Sequence, residues 1–411
     1  MPVVKGALAK SSLRTIAIMG GRIATQGVTL VLVTRLLGPE IYGGYVAAAS
    51  LAMILGLLPN LGSGYILMAR AARDRQTVGD TWSYGWPLSL LLGAALALAF
   101  PFVSRGLTGG TLTLADLAII GVAELMVSPI TLLLSFALQA VGRVPLGQVV
   151  LTMPMLLRAI AAGACLAVDH VPVGAFVIFQ ACAAFGGLAA AWSIAARAID
   201  LRVRVRRPTR EELVTGSGYA AMHVVAANPT ELDKITSPLL LGDHAAGIYS
   251  ATSRIMNAIA MPVVGMLLTA QPRLFRHAAF PNPDGHRLIS LLWRISFAWG
   301  LLGTVAMLVA SPWIPLLFGP AFADTAALIP WVAAAAPFLT LRLASGTILV
   351  ALGHPLQRMR FELAGMVLLA VLLPTGSRLG GPRGMALALA AAEMGMAIYG
   401  WLLVRRAERR L

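Results

Sequence analysis

Residues 36–45 read LLGPEIYGGY and residues 240–249 read LLGDHAAGIY. Both fit Leu-Leu-Gly-x4-Gly-x-Tyr, 204 positions apart in a chain of 411 residues. A second pair follows in the same order. Residues 138–145 read LQAVGRVP and residues 349–355 read LVALGHP, with Gly142 and Gly353 offset by 211. Two landmarks in one order at nearly one offset indicate an internal repeat of two halves. The glycines allow the backbone to turn tightly at a helix C-terminus. The tyrosines suit an interfacial level, with the ring buried and the hydroxyl wet.

The composition names the medium in which those halves fold. Hydrophobic residues make up 58% of the chain and charged residues 12%, and the mean hydropathy is +0.81. A soluble domain is about half apolar and a quarter charged, so an ordinary soluble enzyme, a disordered chain and a coiled coil are excluded. The apolar residues recur in blocks of about 20, the length that crosses a hydrocarbon core. Twelve spans are expected, near 13–37, 44–68, 82–103, 114–140, 146–168, 172–196, 216–241, 246–271, 288–310, 323–352, 357–375 and 383–404. Met1 to Ser12 shows no signal-peptide cleavage pattern, and the first apolar block is expected to begin the membrane part. Cys165 and Cys182 sit in apolar runs and form no disulfide framework or metal spacing.

The net charge of +15 divides in two. With twelve spans, one set of loops and both termini carry 22 Lys and Arg, and the opposite set carries 4. Basic loops stay in the cytoplasm, so both termini are expected there. The bases are scattered among short loops, which argues against nucleic acid as a partner. The expected organisation is a six-helix bundle over 1–200, a basic cytoplasmic linker over 201–215 and a second six-helix bundle over 216–411. Each half has an even number of spans, so the two share an orientation, as in parallel-repeat transporters. The fold class is therefore an all-α polytopic membrane protein of about twelve helices, in two parallel bundles with a central cavity.

The rest of the charge lies inside the spans. Ionisable groups cost at least about 2.5–3.5 kcal/mol each at mid-depth and normally face a cavity or a partner. They are Arg22, Glu124, Arg158, Glu231, Asp233, Lys234, Arg254, Arg294, Arg342, Glu362 and Glu393. The densest cluster is on the seventh span. Glu231 and Lys234 are three apart and share a face, whereas Asp233 points about 100° from Lys234. Pro229 and Pro238 bracket the cluster and tend to kink the helix. Arg254 falls at similar depth on the next span. Two arrangements are open. The cations line a cavity for an anionic head group, with the carboxylates carrying protons; or Glu231 pairs Lys234 and Asp233 pairs Arg254, fixing helix packing. Arg22 follows Gly20-Gly21 with no neutralising residue nearby on its helix, so it faces a cavity or pairs Glu124. Arg158 and Arg342 are further cavity candidates. Arg294, Arg360 and Glu362 lie near cytoplasmic ends and can snorkel, and Glu393 has no evident partner in sequence. His223 is the one intramembrane histidine, more in keeping with packing than with proton transfer.

There is no Gly-x4-Gly-Lys-Ser/Thr loop, no metal spacing and no nucleophile elbow. A membrane-embedded glycosyltransferase would be expected to carry catalytic groups in a long periplasmic loop, and the loops here are short.

Residues 34–74, the run Asp233-Lys234-x7-Gly242-x4-Gly247-x-Tyr249, LFGPAFADTAALIPWVAAAAPF at 317–338 and ALGHP at 351–355 carry a resemblance. Together they resemble the polysaccharide-transport branch, O-antigen flippase-like, of the multidrug/oligosaccharidyl-lipid/polysaccharide exporter superfamily. The chain is a little short for that family, and Ser237-Pro238 departs from its usual aliphatics. The resemblance implies an inner-membrane protein, not an enzyme, that moves an undecaprenyl pyrophosphate-linked oligosaccharide to the periplasmic leaflet by alternating access. It implies that Arg22, Lys234 and Arg254 bind the pyrophosphate, with Arg342 and Arg158 as second choices. Asp233 and Glu231 would couple transport to a proton or Na+, with no cofactor. Membrane lipids, a polysaccharide polymerase and assembly proteins are the partners it implies. The neighbouring alternatives are a cation-coupled multidrug or metabolite exporter and a peptidoglycan-precursor flippase of the same superfamily. An exporter of organic cations needs an acidic or aromatic cavity, which this set of charges disfavours.

Overall fold

The computed structural model describes residues 2–71, 74, 77–168, 170–199, 201, 204–280 and 283–409. Among the loop charges, Arg73, Arg75, Arg202 and Arg410 lie outside the described residues. Every regular element among the described residues is helical. Apart from four short pieces, Arg105–Leu107, Ser311–Trp313, Ile314–Phe318 and Pro320–Phe322, breaks divide the described helices into twelve segments. These are α1 (2–37), α2 (39–55, continued by Ser63–Ala71), α3 (Thr77–Ser104), α4 (Leu114–Ala140), α5 (Val144–Leu166) and α6 (Val173–Ala198). The second set is α7 (Arg210–Leu241), α8 (Asp243–Ala279), α9 (Pro283–Ala310), α10 (Thr325–Ala333 with Ala336–Ala351), α11 (355–379) and α12 (382–408). Each expected span falls on one of them.

Seven of the described helices are long and apolar enough to cross a membrane, or eight if the two parts of α10, bent by 45°, count as one span. One of the seven, Pro355–Glu408, contains both α11 and α12, joined at Gly380-Gly381. Helix α7 is outside this set and carries Glu231, Asp233 and Lys234. Leu98, Phe102 and Leu379 are about three-quarters or more exposed, an arrangement that water disfavours and lipid tails do not. The chain is a multi-pass, all-α membrane protein.

The chain forms two compact units. The first comprises 1–37 and 47–224, the second 38–46 and 225–411. The division thus runs through α7, and the first turn motif counts with the second unit. In the first unit Leu67, Trp82, Leu133, Leu138, Val150 and Ala191 form the core between α2, α3, α4, α5 and α6. In the second, Leu267, Leu274, Ile289, Leu292, Ile348 and Leu349 do so between α8, α9 and α10.

The repeat read from sequence reappears as backbone conformation. Gly38 has φ 67° and ψ 171°, and Gly242 has φ 77° and ψ 167°. Both break a helix in the region that L-residues avoid. Gly142 and Gly353 have φ 85° and 82°. Around them the hydrogen bonds are the same. Gly142 N–H donates to Gln139 O and Arg143 N–H to Leu138 O, as Gly353 N–H does to Val350 O and His354 N–H to Leu349 O. Each set closes a Schellman cap on the preceding helix.

The second glycine of each motif serves a different purpose. A Cβ at Gly43 would stand 2.7 Å from Asp243 O, and one at Gly247 would overlap the Pro39 carbonyl. The two motifs therefore pack backbone to backbone inside the second unit. The motif tyrosine departs from expectation. Tyr249 is fully buried, and its hydroxyl donates to Asp233 rather than meeting water.

Candidate functional site

The intramembrane charges of the second unit, the exposed Arg294 apart, gather into one largely buried network. Lys234 Nζ lies 2.9 Å from Asp233 Oδ1, with both side chains about 1–2% exposed. Asp233 Oδ2 accepts from Ser253 Oγ at 2.8 Å and Tyr249 Oη at 3.2 Å. Helical spacing separates Asp233 from Lys234 by about 100°, and one of the two arrangements open in the sequence paired Asp233 with Arg254. The structure sets Lys234 against Asp233, because the lysine stem is long enough to bend back onto its neighbour. Arg254 is half-buried on α8, within electrostatic range of Tyr42, Glu231, Tyr45 and Asp233. Glu231 is 6% exposed. Ser237, unusual for its position, meets Ser250 Oγ at 3.3 Å and donates to Lys234 O, which ties α7 to α8.

The network continues through α10, α11 and α12. Arg342 Nε donates to Glu393 Oε2 at 2.7 Å and Nη1 to Glu362 Oε2 at 3.3 Å. Arg342 is 1% exposed, and Arg358 lies 3.9 Å from the other oxygen of Glu362. Glu362 is thus buried and does not snorkel, and Glu393 has its partner 51 positions away. Glu393 in turn lies within electrostatic range of Asp233 and Lys234. Four carboxylates, Glu231, Asp233, Glu362 and Glu393, meet four cations, Lys234, Arg254, Arg342 and Arg358. A network of this kind is formally neutral, which lets charges stay in a low-dielectric interior.

The first unit holds a smaller pair. Arg158 Nη1 lies 2.5 Å from Glu124 Oε1, with 23% of each side chain exposed. Ser128 Oγ donates to Glu124 Oε2, and Gln180 Nε2 donates to Arg158 O. Pairing with Arg22 was one alternative open in the sequence for Glu124; Arg158, on α5, takes that place. Glu124 sits in a π-helical turn, Val122–Val127, within α4. Such turns recur at functional sites. Arg22 on α1 is half-buried and makes no ion pair among the described residues. His223 stacks on Tyr65 with ring centroids 4.3 Å apart and planes 11° apart, a packing role.

A third cluster lies at the end of the first unit. Thr209 and Glu212 form a capping box at the start of α7, with Thr209 N–H donating to Glu212 Oε2 and Glu212 N–H to Thr209 Oγ1. Glu212 Oε1 also accepts from Arg70 at 2.6 Å and Arg206 at 2.7 Å. Arg206 lies over the Tyr84 ring, and its N–H donates to Ser83 O. The linker is therefore tied down. Burial disfavours the Glu212 charge, but the hydrogen bonds from Arg206, Thr209 and Arg70 outweigh it and hold the carboxyl at about 2. Its folded value is depressed, so its contribution to stability is present above about pH 4.5 and is lost as pH falls towards about 2. Glu212→Gln at neutral pH is expected to free the linker and speed trypsin cleavage after Arg204 and Arg206. Unchanged cleavage would show that the knot does not hold the segment. The signal for it, Thr-x-x-Glu before an apolar helix, was present in sequence but lay outside the spans.

Sequence reasoning named Arg22, Arg158, Glu231, Asp233, Lys234, Arg254 and Arg342. The structure brings Glu231, Asp233, Lys234, Arg254 and Arg342 into one unit and places Arg22 and Arg158 in the other. It adds Glu124, Glu362, Glu393, Tyr249 and Ser253 as partners. Among the described residues no group of three His, Cys, Asp or Glu is placed to hold a metal ion.

The fold recurs in solved structures. An inward-facing multidrug resistance MATE family transporter of the MOP superfamily aligns with TM-score 0.77 at 14% identity, over 97% of this chain and 98% of that one. An outward-facing transporter of the same description aligns with TM-score 0.71 at 14% identity, over 98% and 96%. A MOP superfamily transporter from Pyrococcus furiosus, described as having a binding pocket of reversed polarity, aligns with TM-score 0.71 at 14% identity, over 97% and 96%. No curated protein matches the chain in sequence. The fold is thus the one that these transporters share. A family model described as polysaccharide biosynthesis protein matches residues 9–277, about two-thirds of the sequence. The chain belongs to that family.

Proposed function

We propose that this protein is a flippase that moves a lipid (undecaprenyl) pyrophosphate-linked oligosaccharide across the bacterial inner membrane, by alternating access, for polysaccharide or lipopolysaccharide biosynthesis of the O-antigen type. Both termini lie in the cytoplasm, in keeping with the 22 to 4 asymmetry of loop charges. The observation that carries the reading is Arg22, a membrane-helix arginine with no ion pair among the described residues. An arginine in hydrocarbon needs an anion, and a pyrophosphate supplies oxygens that match its bidentate donors. Arg254 is the second contact, since it is half-buried and lies within electrostatic range of two carboxylates, Glu231 and Asp233, and two tyrosines without a direct ion pair among the described residues. Lys234, Arg342 and Arg158 already face carboxylates and become cargo contacts when those carboxylates are protonated. Asp233 and Glu231 are the coupling groups for a proton or Na+. A polymerase and assembly proteins complete the pathway on either side of the transport step.

A cation-coupled multidrug exporter is the second reading, favoured by the MATE fold. It requires an excess of buried carboxylates, whereas the network here is balanced and Arg22 adds a cation. Arg22→Ala and Arg254→Ala are each expected to reduce export of lipid-linked repeat units by roughly 10- to 100-fold, the worth of a hydrogen bond to a charged group, with protein level unchanged. The assay is the fraction of repeat units left on the cytoplasmic face in a deletion strain carrying each variant. Normal export in the deletion strain itself, with no redundant flippase, would sink the flippase reading.

A further inference from the structure

The outer face of the first unit carries a groove of about 570 Å³ that none of the charges above uses. Trp82 and Trp86 of α3 form one wall, and Phe185, Leu188 and Trp192 of α6 form the other. Trp82 and Trp192 stand with ring centroids 6.0 Å apart. Phe185 and Trp192 are 50% and 37% exposed, so the groove opens outward. Its rim is polar in a specific way. Ser193 lines it, and the exposed Arg197 lies four residues further on the same face of α6. On the opposite wall Trp86 Nε1 donates to the backbone carbonyl of Arg204, which fixes a second exposed arginine at the same end. Arg197 makes no ion pair among the described residues.

We infer that this groove is a binding site for an anionic phospholipid of the bilayer, with an acyl chain lying along its exposed aromatic wall and the phosphate against Arg197 and Arg204. The volume falls in the range of small-ligand pockets. Tryptophan rings are at home where the hydrocarbon ends and the head groups begin, and basic residues at that level attract anionic lipids by about 1 kcal/mol each. The large aromatic walls do not suit another transmembrane helix, which packs against small residues. The site is separate from the transport reading and stands or falls without it.

The test uses the full chain in mixed micelles and reads tryptophan fluorescence. Three of the eight tryptophans line the groove, and their share is isolated by comparison with Trp82→Phe/Trp86→Phe/Trp192→Phe. Brominated phosphatidylglycerol is expected to quench that share at about 5- to 30-fold lower mole fraction than brominated phosphatidylcholine. Arg197→Gln/Arg204→Gln, which keeps every tryptophan, is expected to erase the difference. Equal quenching by both lipids in the unaltered protein overturns the inference, as does a preference that survives loss of both arginines. If unlabelled polyprenyl phosphate relieves quenching at lower mole fraction than unlabelled phosphatidylglycerol, the groove belongs to the carrier lipid and the phospholipid assignment falls.

Discussion

Arg342→Met is expected to destabilise the protein by about 3–5 kcal/mol, seen as a large fall in the temperature at which it leaves solution in detergent. The guanidinium is 1% exposed and holds Glu393 at 2.7 Å and Glu362 at 3.3 Å. Removing it leaves two carboxylates buried without their main partner, and breaking a buried ion pair on one side costs that much. The carboxylates would then take protons rather than stay charged. The companion variant Arg342→Met/Glu362→Gln/Glu393→Leu removes both orphans and is expected to recover most of the loss, since a buried pair is often replaced by apolar groups at little cost. Wild-type stability in the single variant would show that Arg342 does not hold these helices. The triple variant also separates packing from cargo. Normal glycan export from a stable triple variant removes Arg342 from the cargo set.

Gly247→Ala is the second large effect. A Cβ there overlaps the carbonyl oxygen of Pro39, a backbone atom that cannot rotate away. Overpacking usually costs 1–3 kcal/mol. Here a backbone must move, and a loss of about 3 kcal/mol or more is expected, with little monodisperse protein recovered from membranes. Gly265→Ala is the matched control. Nothing lies within 4 Å of a Cβ at that position, and alanine gains about 1 kcal/mol of helix propensity over glycine. Equal recovery of both variants would mean that the contact between the two turn motifs carries no weight.

These two predictions rest on different kinds of information. The glycine motif was visible as a repeat, and its turn conformation followed from residue type, because only glycine takes φ near 70–85° without strain. The Schellman caps at Gly142 and Gly353 were legible for the same reason. The approach of Gly43 to Gly247 was not, since it joins residues about 200 positions apart.

The buried charges divide the same way. That Arg342, Lys234 and Asp233 lie inside spans could be read from hydropathy alone. Their partners could not. Glu393 reaches Arg342 from 51 positions away, and Asp233 turns to Lys234 through a flexible lysine stem that helical geometry does not describe. Of the two places open to Arg22, pairing with Glu124 is the one folding did not take: α5 packs on α4 in the first unit and brings Arg158 to Glu124, and sequence distance carries no record of packing.

The one-dimensional properties of the chain settle the solvent, the helical class and the repeated glycine turns. Each depends on periodicity, length or a residue's own conformational range, all local in the chain. The pairing of charges, the burial of Tyr249 and the place of residues 38–46 in the second unit were decided by folding. They depend on which helices become neighbours, and in a low-dielectric interior each ion takes whatever partner that packing brings within a few ångströms.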